Sequence, residues 1–234
     1  LAQGYHDLMS SIESIPGAAA TGVCSGSGLA QRLREGTWAL HGEAERAGIM
    51  PALLAGRLAP AVFHVLQRNL HAVYAALEGA LTHHAGHAAI AAIHDPRLAR
   101  SDRLAADLAC LHGPAWREEL LLMPATLAYV ARLHSLDAQD PLGLVAHAYV
   151  RYLGDLAGGQ MLRRVVARAF GLPAGLGTGF FDFGPPELAR TLVQALRAGL
   201  TAMPVDEVDV GRMVAEAQWS FSQHMRLFRE LEAV

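Results

Sequence analysis

The chain carries 234 residues, 52% hydrophobic and only 18% charged, which suits a compact globular domain with a sizeable core. Its 19 basic residues are all arginine and face 22 acidic ones, for a formal charge of −3. That balance argues against a nucleic-acid binder, and the absence of lysine excludes Schiff-base and phosphate-loop lysine chemistry. Histidine, by contrast, occurs 12 times. Cys24 and Cys110 make neither a disulfide framework nor a metal knuckle, which fits a reducing cytoplasm.

Residues 1–28 read as a flexible N-terminal tail, ending in the small, polar run Gly17 to Gly28. They lack the basic and apolar regions of a signal peptide. His6 and Cys24 are expected there as solvated bystanders. No stretch reaches the roughly 18 to 20 consecutive apolar residues that a membrane helix needs, and the closing MRLFRELEAV is amphipathic and charged, so no membrane anchor is expected.

From Leu29 onward, apolar positions recur at threes and fours, as in Leu29, Leu33, Leu40, Ala44 and Ala47. That is the period of a half-buried helix. Breakers at Pro51, Pro60, Pro96, Gly113-Pro114, Pro124, Pro141, Gly171, Pro185-Pro186 and Pro204 cut the rest into helix-sized segments. Short β-branched runs between turns are nearly missing. The fold class is all-α, with a single domain over residues 29–234.

Two segments ask for an explanation. In the first, expected to be helical from about Leu29 to Gly48, Arg34, Trp38, His41 and Glu45 share one stripe beside the apolar face. Seven residues at 1.5 Å rise put Arg34 about 10 Å along the axis from His41. A histidine on such a face is commonly a hydrogen-bonded core residue. The spacing also matches the span from a haem iron to its propionates, and a guanidinium suits a carboxylate partner. It permits a haem without demanding one.

In the second, an otherwise helical pattern is interrupted by Gly154, Gly158 and Gly159. Each glycine costs roughly 1 kcal/mol relative to alanine, so the three cost about 3 kcal/mol. Close helix packing or a kink offsets such a cost. So does a flat ligand lying against backbone where any β-carbon would collide. Asp155 sits between the glycines, one turn after Arg151, its natural partner.

The stretch AHAYVRYLGDLAGGQMLRR, Ala146 to Arg164, closely resembles the signature of the haem oxygenases that make biliverdin. The likeness continues in LREGTWALHGEAE around His41, LHAVYAALE around Tyr74, LHGPAW, YVARLH, FFDF and SFSQHMRLFREL. It implies an all-α fold of about eight helices with haem, at once substrate and cofactor, between a proximal helix and a kinked distal helix. By that resemblance His41 is the proximal iron ligand, Glu45 its carboxylate neighbour, and Gly154 and Gly158 the places where the distal helix bends over the ring. Asp155 organises distal water, with Tyr74, Tyr129 and Arg151 in the same polar network. Tyr149 and Phe221 are further expected haem contacts. Neutral imidazole leaves one iron position for dioxygen, and distal polarity then decides between binding and activation.

Arg34 and Arg197 match basic residues that hold the haem propionates. Trp38 and Val193 stand where mammalian members carry lysines, which leaves the biliverdin isomer open. His224 replaces an asparagine of the distal network. No nucleotide or flavin motif occurs, so electrons are expected from a ferredoxin or an NADPH-dependent reductase, with Arg163, Arg164 and Arg168 as a docking face or a solvated one.

Two other functions compete. A haem store, carrier or sensor would use His41, Arg34 and the glycines but has no need of Asp155 and its companions. A helical di-iron oxygenase would need Glu-x-x-His pairs, and none occurs. His83, His84 and His87 form an HHxxH cluster able to hold a surface metal but lacking the zincin glutamate, and are read as solvated. His64, His71, His112, His134 and His147 are read as residues of helical faces or turns, and Cys110 as a small core residue or an idle thiol.

Overall fold

A computed structural model describes residues 28–234, so the expectations for His6 and Cys24 lie outside the described residues. Ten α-helices follow in order: α1 Leu29–Ala44, α2 Met50–Leu54, α3 Pro60–His83, α4 Ala88–Ala91, α5 Ser101–Leu111, α6 Trp116–Glu119, α7 Pro124–Gln139, α8 Gly143–Ala169, α9 Pro186–Ala202 and α10 Glu207–Glu230. Three 3₁₀ turns join them at Pro96–Leu98, Gly179–Phe181 and Leu231–Ala233. Among the described residues there is no strand. Among the described residues, seven of the ten helices are long, while α2, α4 and α6 are single short turns of four or five residues.

The breakers act where their chemistry requires. Pro60, Pro124 and Pro186 open α3, α7 and α9, where the missing N–H removes nothing from the helix ladder. The Asp206 carboxylate caps α10 by accepting from the Asp209 amide at 2.8 Å. At the end of α8, Gly171 turns left-handed at φ 62°. The Leu172 amide then donates to the Ala167 carbonyl at 2.9 Å, closing a Schellman turn.

The first helix stops at Ala44, earlier than the expected Gly48, and the chain turns at Gly48 with φ 49°. A β-carbon at Gly48 would lie 2.1 Å from the Phe228 carbonyl oxygen. Only glycine lets this turn tuck against α10, where the Ile49 amide donates to that same carbonyl at 3.1 Å.

The centre of the molecule is α8, in which every residue from 143 to 150 is buried. A helix wrapped on all sides must be apolar all round, and Leu144, Val145, Ala146, Ala148 and Val150 supply that. The one imidazole in this stretch, His147, is fully buried and therefore needs partners. Helix α10 packs against α1, α7 and α8, while α3 packs against α5, α7 and α8. Cys110 is exposed, so it is a surface thiol and not a core residue. No helix among the described residues is long and apolar enough to cross a membrane.

Candidate active site

Between α1, α8 and α10 opens a cavity of about 920 Å³, counted to its open mouth. One part of its lining comes from His41 and Ala44 on α1 and Glu45 just after it, another from Arg151, Gly154, Asp155 and Gly159 on α8. Phe63, Phe180, Phe181, Phe221 and Phe228 supply aromatic surface, and His224 completes the polar part. The mostly apolar lining with a few convergent polar groups suits a flat, amphipathic ligand.

His41 is partly buried on α1, and burial holds its imidazole below the ordinary histidine range. It stands neutral, with a nitrogen lone pair for a metal. The Phe221 ring meets it edge-on, centroids 4.7 Å apart, and limits how the imidazole can turn.

The α8 face brings a carboxylate, a guanidinium and a bare backbone together. Arg151 Nη2 donates to Asp155 Oδ1 at 3.3 Å across one turn, and its Nε donates to the Tyr74 hydroxyl at 3.0 Å. Tyr74, fully buried on α3, in turn donates to Asp155 Oδ2. Burial pushes the Asp155 carboxyl above its ordinary value, against the pull of Arg151 and the Tyr74 hydrogen bond. Burial likewise holds Tyr74 well above the usual phenol range, so it stays a donor.

A second chain of contacts runs behind the first. Arg151 Nη1 lies 2.7 Å from His224 Nε2, and His224 Nδ1 lies 2.9 Å from the Ser220 carbonyl. Tyr129, buried on α7, shares a hydrogen bond with Ser220 Oγ at 2.5 Å and lies 3.0 Å from His147 Nδ1. His147 Nε2 meets Glu216 at 3.2 Å, and Arg132 donates to that same carboxylate. Burial raises Glu216, but the hydrogen bonds from His147 and Arg132 overcome it and hold the carboxyl down to about 2. Burial also pushes Tyr129 up to about 12.

Of the residues singled out in the sequence, His41, Glu45, Arg151, Gly154, Asp155 and Phe221 line the cavity together. Tyr74 and Tyr129 stand behind it in the network. Gly158 is buried, but Gly159 is the second glycine in the cavity lining. A β-carbon on Gly159 would come 3.2 Å from the Phe181 carbonyl, so this glycine lets the Gly179–Phe181 turn close onto α8. A β-carbon on Gly154 would meet no atom within 4 Å, because it would project into open space. Tyr149 is buried on α8 outside the lining. Arg34 is exposed on α1, 5.6 Å from the centre of the Trp38 ring, and Arg197 lies on α9, which packs against α1. Neither arginine lines the cavity itself. Val193 is a core residue. Arg163 pairs with Asp182 at 3.1 Å, leaving Arg164 and Arg168 as the exposed arginines of that face.

Ser220, His147, Glu216 and Arg132 were not singled out as site residues. A histidine in the wholly buried start of α8 is the signal that a partner had to exist. Its identity, 69 positions away on α10, has no local signature.

The sequence matches the family described as Heme oxygenase over residues 27–230. The chain belongs to the haem oxygenase family. It is 39% identical to Heme oxygenase 2 of Synechocystis over 207 residues, 87% of this chain and 83% of that protein. It is 35% identical to Heme oxygenase 1 of Pongo abelii, over 87% of this chain and 72% of that one. The crystal structure of heme oxygenase-2 from Synechocystis in complex with heme and NO superposes with a TM-score of 0.85 at 38% identity, covering 88% of this chain and 86% of that one. That of heme oxygenase from Leptospira interrogans gives 0.82 at 32% identity, covering 87% and 100%.

Proposed function

We propose that the protein cleaves haem oxidatively to biliverdin, releasing carbon monoxide and ferrous iron. The observation that carries this reading is one cavity lined both by the neutral imidazole of His41 and by Asp155 hydrogen-bonded to Tyr74 and Arg151. The cavity fits haem by its chemistry: an imidazole for the iron, aromatic surface for the ring, and Gly154 with no atom where a side chain would begin. Bound haem supplies both the iron that activates dioxygen and the meso carbon that is attacked.

The residues of the chain do the rest. His41 would hold the iron through a ring nitrogen, with Phe221 restraining the ring and Glu45 four residues on, at the end of α1. Arg34 and Arg197 hold the propionates from outside the cavity lining, and Tyr149 supports the distal helix from within. Gly154 keeps a side chain off the distal face, and the second glycine lining that face is Gly159 and not the expected Gly158. Burial raises the Asp155 carboxyl and fits it to relay a proton through water toward the ligand, in an orientation that Arg151, Tyr74 and Tyr129 maintain. A larger side chain acting directly as an acid there would favour cleavage of the O–O bond before ring attack.

Electrons come from a separate protein, a ferredoxin or an NADPH-dependent reductase, docking on the side of Arg164 and Arg168. The match over residues 27–230 supports one haem oxygenase domain at 29–234. Cysteine usage supports a cytoplasmic location. Incubation with haemin and ascorbate tests the function: the Soret band gives way to biliverdin absorption. A stable haem complex that never yields biliverdin makes the protein a haem carrier instead.

A further inference from the structure

Outside the cavity, the end of α3 meets the end of α7 through three side chains that the haem chemistry does not use. His83 is the last residue of α3 and His84 follows it. Asp137 lies two positions before the last residue of α7. His83 Nδ1 is 2.8 Å from Asp137 Oδ1, and His84 Nε2 is 3.1 Å from that oxygen and 2.8 Å from the Asp137 carbonyl. The three side-chain ligand atoms all lie within 4.8 Å of one another.

We propose that His83, His84 and Asp137 form a binding site for a divalent first-row transition metal ion, of the Zn²⁺ and Ni²⁺ class, which clips α3 to α7. Two imidazole nitrogens and a carboxylate oxygen are a borderline donor set suited to these ions. The separations fit as well as the chemistry. Adjacent ligands about 2.1 Å from a tetrahedral ion stand about 3.4 Å apart, so the two nitrogen–carboxylate separations of 2.8 and 3.1 Å need open by only a few tenths of an ångström to admit it. Hydrogen bonds between the imidazoles and Asp137 hold the arrangement, and a bound ion would take their place. The His83 side chain is 68% exposed, so an ion reaches the cluster directly from solvent. The HHxxH spacing alone would have chosen His87, but that residue is exposed and outside the cluster, and the third ligand comes from another helix.

The site is separate from haem chemistry. His83 is nine residues beyond Tyr74, about 13 Å along α3, and Asp137 is eight beyond Tyr129, about 12 Å along α7. An ion there braces the two helices that carry the network phenols without touching the cavity.

Chelator-stripped, haem-free full-length chain is titrated with Zn²⁺ by calorimetry and its melting followed with and without the ion. One equivalent binds, and saturation raises Tm by roughly 5 °C. Asp137→Ala and His84→Gln each weaken the binding at least about tenfold and abolish the Tm rise, while His87→Gln changes neither. Circular dichroism of each ion-free variant confirms that the helices remain. Co²⁺ in place of Zn²⁺ gives a ligand-field spectrum that Asp137→Ala removes. Absence of a one-to-one isotherm, survival of the affinity in Asp137→Ala, or its loss in His87→Gln overturns the assignment.

Discussion

His224 accepts from Arg151: the guanidinium Nη1 lies 2.7 Å from the imidazole Nε2, while Nδ1 on the far side of the ring faces the Ser220 carbonyl at 2.9 Å. An arginine N–H only donates and a carbonyl only accepts, so the ring carries its proton on Nδ1 and is neutral. Burial and the Arg151 charge both hold its pKa well below the ordinary value. Removing the acceptor strands a buried donor. His224→Leu is therefore expected to cost about 1–3 kcal/mol in urea unfolding and to loosen Arg151 from Asp155. His224→Asn, whose carbonyl oxygen also accepts, should recover most of both stability and turnover. Equal losses in the two variants would remove the acceptor role.

At Asp155 the expected outcome separates binding from chemistry. Asp155→Asn keeps a side chain of the same size beside Tyr74 and Arg151 but carries no transferable carboxyl proton. Haem binding should persist, judged by the Soret titration, while biliverdin formation falls at least about a hundredfold and peroxidase-like oxidation of added phenols appears. Unchanged biliverdin yield would take Asp155 out of the reaction.

Gly154 puts stability and activity in opposition. A methyl group there meets no protein atom within 4 Å, and replacing a helical glycine with alanine gains up to about 1 kcal/mol. Gly154→Ala should melt higher than the parent when haem-free, yet bind haem more weakly and turn over more slowly. A variant that is both more stable and fully active would show that the cavity has room to spare at this face.

Acid stability follows from imidazoles folded in neutral form. His147 and His224 are both held below 6.5 by burial, and His71 is pulled to about 4 by burial and by Arg117 and Arg68. The unfolded chain binds these protons first. The stabilisation is therefore complete above pH 6.5 and is lost as pH falls below it, through His71 down to about 4. Glu216, held at about 2 against an ordinary 4.5, adds a further loss below pH 4.5. Thermal melts of the haem-free chain should show Tm steady from pH 8 to 7 and declining from about pH 6.5 downward. A flat profile to pH 5 would contradict the neutral assignments.

The donor face is tested by charge. Arg164→Glu with Arg168→Glu should slow turnover supported by a ferredoxin or a reductase and leave ascorbate-driven turnover unchanged, with rates compared at low ionic strength. Equal slowing with both reductants would refute docking there.

What could be read in advance was what is local. The pairing of Arg151 with Asp155 follows from a spacing of four on one helix, and the helix starts at Pro60, Pro124 and Pro186 follow from a missing N–H. The extent of α1 was misjudged because the turn at Gly48 is dictated by the Phe228 carbonyl, which no nearby residue announces. The roles of Gly158 and Gly159 could not be told apart by spacing, since the Phe181 carbonyl that selects between them arrives from a later turn. The chain from Arg132 through Glu216 to His147 joins three helices, and each residue alone reads as ordinary surface or core.

The Gly48 turn under Phe228 has a bearing on how the protein is made. His41 emerges early in synthesis and Phe221, His224 and Phe228 long after it, and α10 packs on α1 with Gln218 donating to the Gly36 carbonyl 182 positions back. A nascent chain therefore exposes the His41 imidazole on an open helix until α10 has been made, because α10 supplies one wall of the cavity.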